Sequence, residues 1–198
     1  MLTLFHAPRS RSSRIVWLLE ELGADYRIRY VDIPRRDGSG RSDPSNPHPD
    51  KKVPALAHDD VLVTESAAIC LYLTDLHPDA GIGPVVGDAR RGAYLTWLAY
   101  YAGVIEPVAA IELAGLGSEP VLSRTFRGLK EMNQRVLDAL ESGPFLLGGA
   151  FSAADVLLGS LGHFARHLLP AGDPVESYLA RLNARPALAR AMAKDARP

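Results

Sequence analysis

The stretch APRSRSSRIVWLLEELGADY, residues 7–26, decides how the first half of the chain folds. Its opening residues, with His6, break a short strand carried by Leu2, Leu4 and their neighbours. Ile15, Val16, Leu18, Leu19 and Leu22 then recur at helical spacing, with Glu20 and Glu21 on the other face. Gly23 stands where a helix wants a left-handed C-terminal cap. Tyr26-Arg27-Ile28-Arg29-Tyr30 alternates apolar and charged, the pattern of a strand with one wet face. The stretch therefore reads as the centre of a βαβ unit.

Residues 34–49 hold four prolines among Gly, Ser and Asp, which predicts a loop of ~15 residues, a length associated with function or mobility. Val53–Ala57 and Val61–Val63 read as two strands joined at His58-Asp59-Asp60. A helix over Ser66–Leu76 follows, stopped by His77-Pro78. The order is βαβ, loop, ββα.

Residues 79–87 carry three glycines and a proline and read as a linker; all that follows reads as helix. Tyr94, Trp97, Leu98, Tyr101, Val104 and Ile105 make one apolar stripe. Leu122, Phe126, Leu129, Met132, Val136 and Leu140 make a second. A third helix opens at Phe151-Ser152-Ala153-Ala154-Asp155 and runs to about Leu168; two shorter segments split at Pro186 close the chain. The expected class is an α/β domain over 1–78, a linker over 79–87 and an all-helical domain over 88–198.

Composition narrows the partners. Among 198 residues, 22 Lys and Arg balance 23 Asp and Glu, for a net charge of −1. Such a chain has no field to draw in nucleic acid or an anionic membrane, and a small, locally recognised partner is expected. Nothing approaches the roughly 18 apolar residues of a membrane span, and Leu2–Phe5 is too short for a signal-peptide core. Cys70 is the single cysteine, so no internal disulfide forms and no Cys/His set has zinc spacing. A reducing, cytoplasmic setting is consistent with this.

Three places carry candidate chemistry. Ser10, Arg11, Ser12 and Ser13 sit at a strand-to-helix turn, where free N–H groups and the helix dipole favour an anion and a hydroxyl can donate to a thiolate; the alternative is that one of these serines is only an N-cap. Val53-Pro54 opens a strand after the loop. A cis bond there would turn the Val53 backbone outward to pair with a peptide-like ligand, and the alternative is an ordinary trans proline on an edge strand. Glu65-Ser66 starts the next helix and suits a zwitterionic amino-acid end, carboxylate on the hydroxyl and N–H groups, ammonium on Glu65; the alternative is a cap beside a surface acid.

Other features read as structural. Ser152-x-x-Asp155 after Phe151 is a capping box with a hydrophobic staple. Cys70, among Ile69, Leu71 and Leu73, reads as buried filler. His163 and His167 lie i, i+4 with no third ligand near, a helix-face pair rather than a metal site.

Taken in order, APRSRSSRIVWLLEELGADY, KVPAL, Thr64-Glu65-Ser66, FSAADVLLG and YLARLNARPALARAMA resemble the glutathione S-transferase superfamily, its cytosolic, serine-type, bacterial-like members, over nearly the whole chain. The resemblance implies a thioredoxin-like N-terminal domain with a helical-bundle C-terminal domain. It implies that Val53 pairs by backbone with the cysteinyl part of glutathione beside a cis Pro54, that Glu65 and Ser66 hold the γ-glutamyl end, and that Lys52 lies near the glycyl carboxylate. Ser10, four residues before Arg14, would donate to the glutathione sulfur, with Ser12 in reserve. The first turn lacks the tyrosine or cysteine of other classes, and Arg9 and Arg11 flank the serine and could share its work.

The implied activity is conjugation of glutathione, as co-substrate, to small apolar electrophiles, a detoxification chemistry run by a homodimer with the electrophile in an apolar cleft. A free thiol of pKa ~8.5 is only a few per cent thiolate at pH 7; half-ionising it needs a shift of ~1.5 units, about 2 kcal/mol, which one hydroxyl and a helix N-terminus roughly supply. Glutathione-dependent isomerisation, dehalogenation or peroxide reduction, and non-catalytic binding of glutathione or apolar ligands, stand as alternatives.

Overall fold

The computed structural model describes residues 1–196, apart from the side chains of Ser123 and Thr125. Strand β1 (Leu2–His6), helix α1 (Ser13–Leu22) and strand β2 (Tyr26–Tyr30) form the expected βαβ unit. Strands β3 (Ala55–His58) and β4 (Val61–Thr64) and helix α2 (Ser66–Leu76) complete it. The sheet order is β2-β1-β3-β4, with β1 and β2 parallel and the other pairs antiparallel. This is the thioredoxin-like βαβ–ββα arrangement, and no regular element interrupts residues 31–54.

The apolar face of α1 goes inside as its spacing requires: Ile15, Val16, Leu18 and Leu19 are all buried, as are Leu4 and Leu56 of the sheet and Ile69 and Leu73 of α2. Gly23 takes the left-handed conformation, φ 61°, and its N–H and that of Ala24 close the last turn. On the strands, Phe5 pairs with Ala55 and packs with Val31 in a second apolar cluster.

The other face of α1 is covered too. Glu20 is buried and Glu21 nearly so, because helix α9 (Pro186–Asp195) docks there. Arg185 grips Glu21 with both ends of its guanidinium, at 2.6 and 2.8 Å, and Arg190 and Lys194 meet Glu20. The opposite charges of the two helices, far apart in sequence, make this packing possible. The chain accordingly divides into two compact units, Met1–Ala80 with Arg185–Pro198, and Gly81–Ala184. The last helix thus joins the first unit rather than the helical stretch expected over 88–198, whose final two residues lie outside the described ones.

The second unit contains α3 (Arg91–Tyr100), α4 (Glu106–Leu113), α5 (Pro120–Thr125), α6 (Leu129–Glu141), α7 (Ala153–Phe164) and α8 (Asp173–Asn183). A π-type turn over Tyr101–Ile105, with Tyr101 and Ile105 buried, joins α3 to α4. The second stripe is not one helix: it breaks at residues 126–128, leaving Phe126 exposed. Gly128 is extended and caps α6, its N–H accepted by the Glu131 carboxylate at 3.1 Å. Helix α7 ends at Phe164, short of Leu168, and a 3-10 turn over Arg166–Leu168 follows.

The capping box of α7 is present as the sequence predicts. Asp155 accepts the N–H and the hydroxyl of Ser152 at 2.8 and 2.9 Å, and Phe151 packs edge-on against Phe145. Asp155 also accepts the N–H of Leu146 at 2.9 Å and the Tyr178 hydroxyl at 3.2 Å. No helix among the described residues is long and apolar enough to cross a membrane.

Candidate functional site

The register of the sheet brings the three candidate segments to one end of it. Phe5 faces Ala55 and Ala55 faces Thr64, so the chain leaving β1, entering β3 and leaving β4 does so at the same end of the sheet. The serine turn, the Val53-Pro54 step and the start of α2 are therefore neighbours, although 55 positions separate Ser10 from Glu65.

The Val53–Pro54 bond is cis. Val53 is half-buried against the Phe5 cluster, and its backbone N–H and carbonyl make no hydrogen bond among the described residues. The preceding loop is held from within by Asn46, a buried side chain that donates to the Lys52 carbonyl at 2.9 Å and accepts the His48 N–H at 3.0 Å. Lys51 returns to the Asn46 carbonyl at 2.7 Å. The Lys52 side chain is exposed and has no recorded partner among the described residues.

Glu65 precedes α2 with φ 66° and ψ 123°, a conformation that costs a residue with a side chain about 1–3 kcal/mol. No side chain caps α2, so its first N–H groups stay open beside the Ser66 hydroxyl, and the Glu65 carboxylate is exposed. This end of the sheet thus offers backbone donor and acceptor at Val53, a carboxylate at Glu65, and hydroxyl and N–H donors at Ser66.

The four-residue serine turn separates its members. Ser10 is half-buried; its hydroxyl donates to the Ala7 carbonyl at 2.6 Å and lies 2.8 Å from that of Ser12. Ser12 is wholly buried: its hydroxyl accepts the Ala7 N–H at 3.1 Å and touches His6 Nδ1 at 2.7 Å. Ser13 donates to Asp195 at the end of α9. Ser12 therefore occupies the N-cap position while Ser10 is the hydroxyl nearest to solvent.

Two residues of this turn's surroundings were not among the sequence candidates. His6, at the end of β1, is fully buried, with Nε2 3.2 Å from Asp195 Oδ1. That approach lies off the straight line of an ideal hydrogen bond, and Nε2 has no other partner among the described residues. Asp195 also accepts the Arg9 N–H at 3.2 Å. Burial opposes its charge, but the nearby His6 ring and the hydrogen bonds from Ser13 and Arg9 outweigh burial and hold the carboxyl below the usual range. The one local signal for His6 is a polar residue closing an apolar strand; Asp195 had none.

A cleft of about 700 Å³ in the same unit is lined by Arg9, Asp32, Arg35, Asp37, Met192 and Asp195 among others. Its walls are charged. Tyr94, Trp97, Leu98, Tyr101 and Ile105 are all buried in the second unit, as core. Cys70 is buried within α2, and desolvation pushes its thiol up to about 12. His163 bonds Asn183 at 2.7 Å instead of pairing with the exposed His167, and no group of metal-binding side chains occurs among the described residues.

Comparison with known proteins agrees with this geometry. Residues 1–75 match the family model for the glutathione S-transferase N-terminal domain. The chain is 26% identical to the glutathione S-transferase GstA of Escherichia coli O157:H7 over 97% of its own length and 98% of the relative's. Among solved structures, a glutathione transferase from Methylococcus capsulatus is 30% identical, with a TM-score of 0.80 and 98% of each chain covered. A sphingomonad glutathione S-transferase complexed with glutathione is 26% identical, with a TM-score of 0.79 and the same 98% coverage of both chains. With fold, segment order and relatives in agreement along the full length, this chain belongs to the glutathione S-transferase superfamily as a bacterial-type member.

Proposed function

We propose that the chain binds glutathione at this end of its sheet, lowers the pKa of the bound thiol and transfers the thiolate to a small apolar electrophile. The observation that carries this reading is the set of unpartnered groups aligned by the sheet register. Val53 offers a free backbone edge to the cysteinyl residue. Glu65 and Ser66 offer a carboxylate and helix-start donors to the γ-glutamyl ammonium and carboxylate. Lys52 supplies a positive charge for the glycyl carboxylate. The strained Glu65 backbone fits a residue held for a ligand rather than for stability. Residues 1–78 would be the glutathione-binding domain, reinforced by α9, with 88–184 the helical domain, and the whole would act as a cytoplasmic homodimer in detoxification.

Ser10 is the proposed donor to the sulfur, because it is the accessible hydroxyl of the turn; Ser12, walled in, would act only through it. One observation favours the non-catalytic alternative: the Ser10 proton points to the Ala7 carbonyl, not outward. Ultraviolet thiolate absorbance of bound glutathione against pH separates the two. Conjugation predicts a thiol pKa lowered by ~1.5 units in the wild type and mostly restored in Ser10→Ala. An unshifted pKa in a saturated wild-type complex would leave a binding protein, and failure to saturate at millimolar glutathione would remove both readings.

A further inference from the structure

His6, Ser12 and Asp195 form a chain that ends on the Ser10 hydroxyl. The contacts run Asp195 Oδ1 to His6 Nε2 at 3.2 Å, His6 Nδ1 to Ser12 Oγ at 2.7 Å, and Ser12 Oγ to Ser10 Oγ at 2.8 Å. The only recorded members with access to a ligand are Ser10 at one end and the rim of Asp195 at the other; His6 and Ser12 are sealed.

Counting protons gives the chain a direction. A carboxylate has no proton to offer, so the Nε2 that stands 3.2 Å from Asp195 in a bent approach carries one. In neutral His6, Nδ1 is then bare and must accept, so the Ser12 hydroxyl donates to it. The Ala7 carbonyl, at 3.2 Å, competes for that proton less closely than Nδ1 at 2.7 Å, so Ser12 Oγ accepts from the Ala7 N–H and from Ser10. The Ser10 proton is thereby held inward, shared between Ser12 and the Ala7 carbonyl; the Ser12 N–H occupies one lone pair of Ser10 Oγ at 3.2 Å, which leaves one for a ligand. Such a hydroxyl accepts a proton from a ligand and does not donate one.

We propose that His6 is the proton acceptor for the bound thiol, reached through Ser10 and Ser12 and held ready by Asp195. The inference rests on the glutathione reading above. The thiol S–H bond breaks and its electron pair stays on sulfur. The proton passes to Ser10 Oγ, the Ser10 proton moves to Ser12 Oγ, and the Ser12 proton forms the new N–H bond at His6 Nδ1. The products are a thiolate and an imidazolium beside the Asp195 carboxylate, with no other reagent consumed. The hydrogen bonds from Ser10 to His6 Nδ1 have reversed while Nε2 keeps its proton beside Asp195, so Ser10 now donates outward to the thiolate it has helped to form.

The surroundings suit this role. The titratable groups recorded against the His6 ring are Asp195 from α9 and Tyr30 from β2, whose ring lies 5.6 Å away. The Tyr30 hydroxyl is turned off to the Lys194 carbonyl at 2.9 Å, so a single negative charge faces the ring. Asp195 is fixed by Ser13 and Arg9 from the serine turn, which ties the orienting carboxylate to the turn it serves. His6, Ser12 and Asp195 act through Ser10 and are positioning residues.

The test is imidazole nitrogen NMR on the whole chain, with His6 assigned by loss of its signals in His6→Gln or by its contact with the Tyr30 ring. The free protein at neutral pH should show His6 protonated at Nε2 and bare at Nδ1. Glutathione should protonate Nδ1 as thiolate absorbance appears, while S-methylglutathione, which has no thiol proton, should bind and leave Nδ1 bare. Asp195→Asn keeps the shape and removes the charge; it should raise the bound thiol pKa by about one unit and lower kcat/KM about tenfold at neutral pH, with S-methylglutathione affinity unchanged. A purely structural Asp195 would lower Tm and move neither the pKa nor the His6 signals. Thiolate forming with His6 unchanged, or an Nδ1–H tautomer in the free protein, overturns the relay alone. Failure of S-methylglutathione to bind overturns the glutathione reading itself.

Discussion

Replacing Asp155 with alanine should destabilise the second unit by about 3 kcal/mol. The carboxylate collects the N–H of Leu146 at 2.9 Å, the N–H of Ser152 at 2.8 Å and the hydroxyl of Tyr178 at 3.2 Å. All lie in the interior, where water does not replace a lost acceptor at no cost. Each stranded donor costs about 1–3 kcal/mol, and relief from burying the carboxylate, whose pKa desolvation has already raised, returns part of the sum. For a chain of this length ~3 kcal/mol corresponds to a fall in Tm of roughly 6–12 °C. Urea unfolding followed by circular dichroism measures it, with Ser152→Ala alongside. That variant removes a single cap oxygen and should cost about 1 kcal/mol. A loss below 1 kcal/mol in Asp155→Ala, or one no larger than that of Ser152→Ala, would refute the view that Asp155 joins a loop, a helix start and α8 as well as capping a helix.

Other outcomes follow from individual groups. Cys70 should resist thiol reagents in the folded chain and react readily in denaturant, since its thiol is sealed in α2 and pushed up to about 12; fast native labelling would contradict this. Burial opposes ionisation of Glu20, but hydrogen bonds from Lys194, Tyr26 and Arg190 prevail and lower its pKa, so its contribution is present above the unfolded value of 4.5 and lost as pH falls through the folded one. Glu20→Gln should therefore flatten the acid limb of the stability–pH curve below about 4.5, and an unchanged limb would place the acid sensitivity elsewhere. Glu65→Gly should raise stability by up to ~1 kcal/mol, by relieving the positive φ, while weakening glutathione binding at least tenfold in calorimetry. Loss of both stability and binding would mean that Glu65 is held for packing.

Local patterns were legible where a local cause sufficed. The β2 alternation, the α1 stripe with its Gly23 cap, α2 up to His77-Pro78 and the Ser152–Asp155 box each follow from residues a few positions apart. The glutathione-facing segments were legible as separate pieces, and the sheet register supplied the step that makes them neighbours. Where the cause was distant, the reading failed. Glu20 and Glu21 read only as the other face of α1, because nothing nearby announces that Arg185, Arg190 and Lys194 come back to them. The break between α5 and α6 was hidden because Leu122, Phe126 and Leu129 continue a helical period, whereas Gly128 prefers to cap.

The docking of α9 connects these failures to the chemistry. A terminal helix held only by its apolar face, here Ala187, Leu188 and Ala191, needs no acid at its end. This one carries Asp195 to the base of the serine turn, where it satisfies a backbone N–H and a hydroxyl and stands 3.2 Å from a buried histidine. Ser12 answers one ring nitrogen of the histidine sealed at the end of β1 with a hydrogen bond, and the Asp195 carboxylate answers the other by a 3.2 Å charge contact in a bent approach. Without α9, Nε2 would face the interior alone, and neutral His6 would have no reason to favour the tautomer that leaves Nδ1 bare. The ion pairs that hold α9 on α1 thus set the proton arrangement around Ser10, so the last ten described residues belong to the site as much as the first ten do.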